Sequence, residues 1–359
     1  MFGQRLRLAR KKAGLSMRAL ADQVSPKVTA QAISKYESGK MMPSSAVLLG
    51  LGKTLSVSLD FLMGGQVEAL REVEFRKHSG TSARDRARAE AIVTEEVEAY
   101  LSIEDILELA LPDDPFGDLV TECIKSFAQI DKVADGLRGH WSLGLDPIPS
   151  MAGLLEDKGI RVVEADLPER FDGLACDVLC AGDRPATAVV VVSRSTGIER
   201  KRFNLAHELA HRVIRATSNP EIRLEKAIDR FAGAFLVPAE HLVEEAGAHR
   251  NGMTYHELMR LKRLYGVSAA AMLMRLGQVG ILPRSTVEYA FRSYARAWRK
   301  EEPEPIRDDE GFGAFERPQR FESLVWRALG EQLISPIRAA QLLRRPLASI
   351  EREIRGPRG

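Results

Sequence analysis

Residues 202–214, RFNLAHELAHRVI, set two histidines four apart with a glutamate directly after the first. Leu205, Leu209, Val213 and Ile214 recur at the spacing of one helical face. On such a helix His207 and His211 lie one turn apart and project together, so two imidazoles can chelate one cation. The same pattern fits a packed helix whose histidines are satisfied in a core, and a third ligand decides between the two. Downstream, EKAIDRFAGAFLVP puts Glu225 and Asp229 on one side of a second helix, with Phe231, Ala232, Phe235 and Leu236 as its apolar face. Glu225 can complete a three-ligand zinc site, and Asp229 can accept a hydrogen bond from a ligand histidine.

A chain of 359 residues is long for one core, so two or three domains are expected. Its longest apolar run, around Ala188–Val192, falls far short of the ~20 residues of a membrane span. The basic start, MFGQRLRLARKK, has no apolar stretch after it, and a cytoplasmic protein without a membrane partner is expected. Cys123, Cys176 and Cys180 form neither a disulfide framework nor a usual zinc knuckle, which also fits a reducing compartment. Net charge is +2, yet residues 1–63 carry ten Lys/Arg against three Asp/Glu. A basic module on a mildly acidic body implies an anionic partner, nucleic acid foremost, or a solvated basic surface; charge alone does not separate them.

Pattern separates them better. Residues 4–13 form a helix ended by Gly14, and Ser16 caps a short helix bearing Leu20 and Ala21. Thr29 caps a third helix, AQAISKYES, closed by Gly39; further helices begin near Pro43-Ser44 and at SLDFLM. These residues resemble the Cro/C1-type (Xre) helix-turn-helix domain, through Leu20-Ala21, Ile33–Lys40, Pro43-Ser44, Val57 and Leu62. The resemblance implies double-stranded DNA as partner and Thr29–Lys35 as the recognition helix, with Ala30, Gln31, Ser34 and Lys35 at the base edges. Gln31 suits adenine, and Lys35 suits guanine or phosphate. Arg18 takes the phosphate role, because Met17 stands where the family commonly has Gln; Thr29 and Lys40 complete the expected contact set. The turn before Ile33 is also two residues longer than the family's usual one, which leaves the operator sequence open.

After Gly64-Gly65, residues 66–111 are expected to form a helical connector, with an amphipathic helix over 84–111 carrying Ile92, Val93, Val97, Leu101 and Ile106. That helix packs on the next domain or carries a homodimer contact, as palindromic sites favour. GIRVVEA and ATAVVVVS read as strands. Ala188–Val192 either offers an edge to an extended substrate or lies inside a sheet.

Beyond the two metal-type helices, LGLDPI at 143–148, LLEDKGIRVV at 154–163, FDGLACD at 171–177 and residues 261–282 resemble the ImmA/IrrE metallopeptidases. The resemblance covers most of residues 1–300 together with the Xre domain. It implies a mainly α, multidomain chain: an all-α helix-turn-helix domain at 1–63, then an α+β zincin-like (gluzincin) peptidase domain at 112–300. A Pro- and charge-rich linker at 301–318 and a helical region at 319–359, with Trp326, Leu329 and Leu333, follow. One zinc per chain on His207, His211 and Glu225, Glu208 as general base and Asp229 behind a ligand are the implied site. Asn204 and Asp229 replace the family's common Thr/Ser and Asn, and neither change removes a ligand or the base. Tyr255, His241, His249 and His256 are candidates for a second oxyanion donor. The implied activity is site-specific cleavage of a regulatory protein, such as a helix-turn-helix repressor, in stress response or mobile-element control. The alternative is a non-proteolytic repressor or antitoxin whose peptidase-like domain senses or scaffolds.

Overall fold

The computed structural model describes residues 2–57, 59–63, 67–77, 83–110, 115–120, 123–168, 171–180, 187–309 and 311–356. Five helices open the chain: α1 (Phe2–Lys12), α2 (Met17–Gln23), α3 (Ala30–Glu37), α4 (Ser45–Leu55) and α5 (Leu59–Met63). A strand, β1 (Val67–Lys77), and a long helix, α6 (Ala83–Ile106), follow. Next come α7 (Phe127–His140), α8 (Met151–Asp157), β2 (Arg161–Ala165), β3 (Phe171–Cys180) and β4 (Thr187–Ser193). The helices α9 (Ile198–Val213), α10 (Leu224–Leu236), α11 (Ala239–Ala246), α12 (Tyr255–Tyr265), α13 (Ala269–Val279) and α14 (Arg284–Arg292) succeed one another. Four more close the chain: α15 (Phe312–Phe315), α16 (Arg320–Gly330), α17 (Pro336–Leu343) and α18 (Leu347–Arg355). The chain is mainly α with one small sheet, as the sequence implies. Gly64-Gly65 lies outside the described residues.

Two compact units emerge, and neither is continuous in sequence. The first joins Met1–Leu111, Val163–Arg194 and Gln319–Gly359; the second joins Pro112–Val162 and Ser195–Pro318.

In the first unit the caps read from sequence are in place. Ser16 Oγ accepts from the Ala19 N–H and Thr29 Oγ1 from the Ala32 N–H, so α2 and α3 start where the orphan amides find acceptors. Leu6, Leu20, Ile33, Leu51 and Leu62 form a core of their own beneath these helices. Gly50 shows how tightly α4 approaches its neighbour: a Cβ there would lie 2.1 Å from the Ser25 carbonyl oxygen. Helix propensity favours alanine over glycine by about 1 kcal/mol, but crowding against backbone costs about 1–3 kcal/mol. Packing wins, so Gly50→Ala is expected to destabilise the protein by about 1–2 kcal/mol in urea unfolding followed by circular dichroism. Gly330→Ala, where a Cβ meets nothing within 4 Å, is expected to be neutral or stabilising in the same assay.

The sheet has the order β1-β3-β4-β2, with β3 antiparallel to both β1 and β4. Its face carrying Leu174, Cys176, Val178, Val189 and Val191 packs with Val93, Val97 and Leu101 of α6 and with Val325, Ala328 and Ile350 of the last three helices. The connector is therefore not wholly helical, because Val67–Lys77 pairs with β3 across about a hundred residues of chain. Its alternation (Val67, Ala69, Val73 and Phe75 against Glu68, Glu72, Glu74 and Arg76) is a strand period inside a charge-rich stretch. The substrate-edge reading of Ala188–Val192 is also corrected. β4 sits between β3 and β2, and Val189–Val192 are buried on both faces, leaving no free edge.

In the second unit α10 packs against α9 and α7. Asp131 of α7 holds Arg230 of α10 at 2.6 Å and Arg275 of α13 at 3.2 Å, and buried Arg275 also donates to the Val237 carbonyl. Residues 301–318, expected as a linker, are instead built into this unit. Glu302 accepts from the Ala269 N–H at the start of α13 and pairs with fully buried Lys262. Lys262 also binds Glu199 of α9 at 2.7 Å and the Glu304 carbonyl at 2.6 Å. Acidic residues that look solvated in sequence find here a buried cation and a helix N-terminus. The helices α12 and α13 pack against each other. Ser268 caps α13, whose Met272, Leu273 and Leu276 are buried.

Candidate metal centre

The helix α9 carries Leu205, Leu209 and Val213 into the core, which fixes the turn on which both histidines sit. His207 and His211 face each other with their Nε2 atoms 3.1 Å apart. Glu225, in the first turn of α10, brings Oε2 to 3.6 Å from His207 Nε2. One ligand atom from each of the three residues lies within 4.8 Å of the other two. Two donors about 2.0–2.1 Å from a tetrahedral zinc stand about 3.3–3.4 Å apart, so these spacings fit that ion. Among the described residues no other group of three His, Cys, Asp or Glu side chains is close enough to hold an ion.

Asp229, one turn after Glu225, places Oδ1 2.9 Å from His207 Nδ1. A carboxylate there accepts from Nδ1–H and leaves the Nε2 lone pair turned toward His211 and Glu225, the arrangement that raises imidazole basicity toward a metal. Burial is graded across the centre. His207 and Glu208 are 2% and 1% exposed, whereas the Glu225 and Asp229 side chains are 70% and 54% exposed. Of the three donors, His207 is therefore clamped in the core, His211 is half-buried and Glu225 meets solvent.

Two contacts that sequence reading misses hold α9 in place. Arg202, five residues before His207, and Glu316 are both fully buried and paired at 2.5 Å. Arg202 also donates to the carbonyls of Ile148 and Gly266, with the Phe312 ring 4.2 Å from its guanidinium carbon, and Glu316 accepts from the Met151 and Ala152 amides. Burial lowers the Arg202 pKa, but the carboxylate beside it opposes that shift. No local signal marks Glu316, because its partner lies 114 residues away. Of the four oxyanion candidates, His241 is engaged: its Nδ1 lies 2.9 Å from the Oη of buried Tyr265. Tyr255, His249 and His256 are exposed.

On the N-terminal domain, α3 buries Ile33 and Tyr36 and exposes Gln31, Ser34 and Lys35. Arg18, Thr29 and Lys40 are exposed as well, while Ala30 is half-buried against the core.

A two-histidine helix answered by a glutamate and an aspartate on a second helix is the donor arrangement of a zinc-peptidase-type domain. Residues 155–277 match the peptidase family described as an IrrE N-terminal-like domain, and residues 6–62 match the helix-turn-helix family. The chain thus carries an N-terminal helix-turn-helix domain and an IrrE-type peptidase-family domain. A curated relative, an uncharacterized HTH-type transcriptional regulator derived from the SPbeta prophage of Bacillus subtilis (strain 168), is 42% identical over 65 residues. That match covers 18% of this chain and 58% of the relative. A solved structure of a Mycobacterium tuberculosis transcriptional regulator is 17% identical, covering 52% of this chain and 54% of that one, with a TM-score of 0.30. No helix among the described residues is long and apolar enough to cross a membrane.

Proposed function

We propose that the chain is a transcriptional regulator that binds double-stranded DNA through α3 and cleaves a regulatory protein at the α9–α10 centre, acting in the cytoplasm. The observation that carries the peptidase reading is the His207–His211–Glu225 cluster with Asp229 behind His207. These three residues would hold one zinc ion. When bound, zinc lowers the pKa of an attacking water and polarises the scissile carbonyl. Asp229 fixes the His207 tautomer, and Glu208 takes the water proton and passes it to the leaving amine. Gln31 and Lys35 offer the exposed donors for base and phosphate contacts, with Arg18 and Lys40 on the backbone. A helix-turn-helix repressor is the substrate class proposed, and a homodimer on a palindromic site is the binding form. Stress response or mobile-element control is the setting.

Metal content tests the foundation. Purified wild-type protein is expected to hold about one zinc per chain, and His207→Ala and Glu225→Ala to lose it. Asp229→Ala is expected to weaken zinc affinity about 10–100-fold, read by competition with a chromogenic chelator. Well-folded wild-type protein that takes up no zinc would leave α9 a packed helix and remove the peptidase reading.

A further inference from the structure

We propose that a second face of the protein, made by Tyr255 and residues 289–300, binds single-stranded DNA by stacking bases on exposed aromatic rings beside a basic ridge. The sequence there, YAFRSYARAWRK, interleaves aromatic and basic side chains. After α14 the backbone continues in linked turns, with Ala295 N–H donating to the Ala290 carbonyl at 2.9 Å and Lys300 N–H to Ala297 at 2.8 Å. Ala295 is fully buried and pins this run to the unit, so its neighbours are held outward on an ordered backbone.

The rings form a continuous path. Tyr294 and Trp298 have centroids 5.5 Å apart, and Trp298 lies 6.3 Å from Tyr255. Tyr289, on α14 five residues before Tyr294, is an exposed ring on the same stretch. Tyr289, Tyr294 and Tyr255 are 64%, 55% and 50% exposed, a concentration of wet aromatic surface that ordinary folding does not require.

Charge runs alongside. Arg284 is engaged with Glu288, but among the described residues Arg292, Arg296, Arg299 and Lys300 meet no carboxylate, and all four are exposed. Arg299 lies over the Phe291 ring at 5.0 Å, which holds its guanidinium on the same stretch. Exposed cations without a carboxylate, beside exposed rings, are the pairing that single strands satisfy, with phosphates on the cations and bases on the rings. An acidic peptide would meet the cations and leave the rings wet, whereas a duplex would keep its bases stacked away from them. DNA is favoured over RNA because the helix-turn-helix domain of the same chain tethers this face to duplex, where opened strands are met at high effective concentration. The proposal does not depend on the metal centre.

The test uses the full chain and a fluorescein-labelled oligo(dT) of about 20 nucleotides, titrated by anisotropy at several salt concentrations. Saturable binding is expected, weakened at least about tenfold in Tyr289→Ser/Tyr294→Ser. Arg292→Gln/Arg296→Gln is expected to flatten the salt slope by about 1.4. Lys35→Ala is expected to impair duplex binding alone. Quenching of tryptophan emission by oligo(dT), lost in Trp298→Phe, reads the same contact with the tyrosines intact. The proposal is overturned if oligo(dT) does not bind saturably, or if binding falls with Lys35→Ala and survives the tyrosine changes. It is equally overturned if oligo(rU) or polyglutamate binds this face in preference to oligo(dT).

Discussion

Glu208→Gln is expected to abolish cleavage of the target protein, by a factor of about 100 to 10,000 in rate, while zinc content and duplex DNA binding stay at wild-type levels. The substitution keeps the size of the side chain and its carbonyl oxygen but removes the carboxylate proposed as the base. At 1% exposure Glu208 lies in the core beside His207 on α9, and it is not one of the three residues in the donor cluster. Metal loading and chemistry should therefore separate at this position. The assay is incubation of purified protein with candidate repressors, scored by mass spectrometry of the fragments, alongside zinc analysis and a duplex gel shift. Should the cellular response persist unchanged in Glu208→Gln, a sensory or scaffolding role for the peptidase-like domain would replace the enzymatic one.

The second large effect is expected at Glu316. Removing one member of a buried ion pair strands the other charge in the core, which costs about 3–5 kcal/mol. Glu316→Ala leaves the Arg202 guanidinium without its carboxylate and the Met151 and Ala152 amides without their acceptor. Chemical unfolding of the second unit should show a loss of that order, and zinc affinity should fall with it because α9 loses an anchor. In Arg202→Met/Glu316→Ala the cost should be smaller than the sum of the two single changes, because no lone charge remains buried. Equal and additive costs would mean that the two residues act independently.

The elements that could be read from sequence share a short range. The caps at Ser16 and Thr29, the paired histidines, and the Glu225–Asp229 turn are each set by residues within four positions of one another, where helix geometry alone dictates who meets whom. What escaped detection is non-local. β1 resembles a continuation of a charged helix because Glu, Lys and Arg suit both states until a pairing strand is present, and that strand is β3. Glu302 and Glu316 sit in a stretch whose proline and charge content reads as solvated, yet Lys262 and Arg202 draw them into the interior. An arginine or glutamate in the core leaves no trace in an apolar pattern. Its partner can be identified only when the fold brings it near.

The discontinuous first unit has a consequence for synthesis. The helix-turn-helix core uses residues that emerge early and can close at once. The core around α6 and the sheet draws Leu324, Val325, Ala328, Ala339, Leu342 and Ile350 from near the C-terminus. At about 5–20 residues per second, α6 waits on the order of tens of seconds for the helices that cover it. During that interval a nascent chain can present a finished DNA-reading head on an apolar stem still open to chaperones. A chain truncated after α15 would remain in that state permanently.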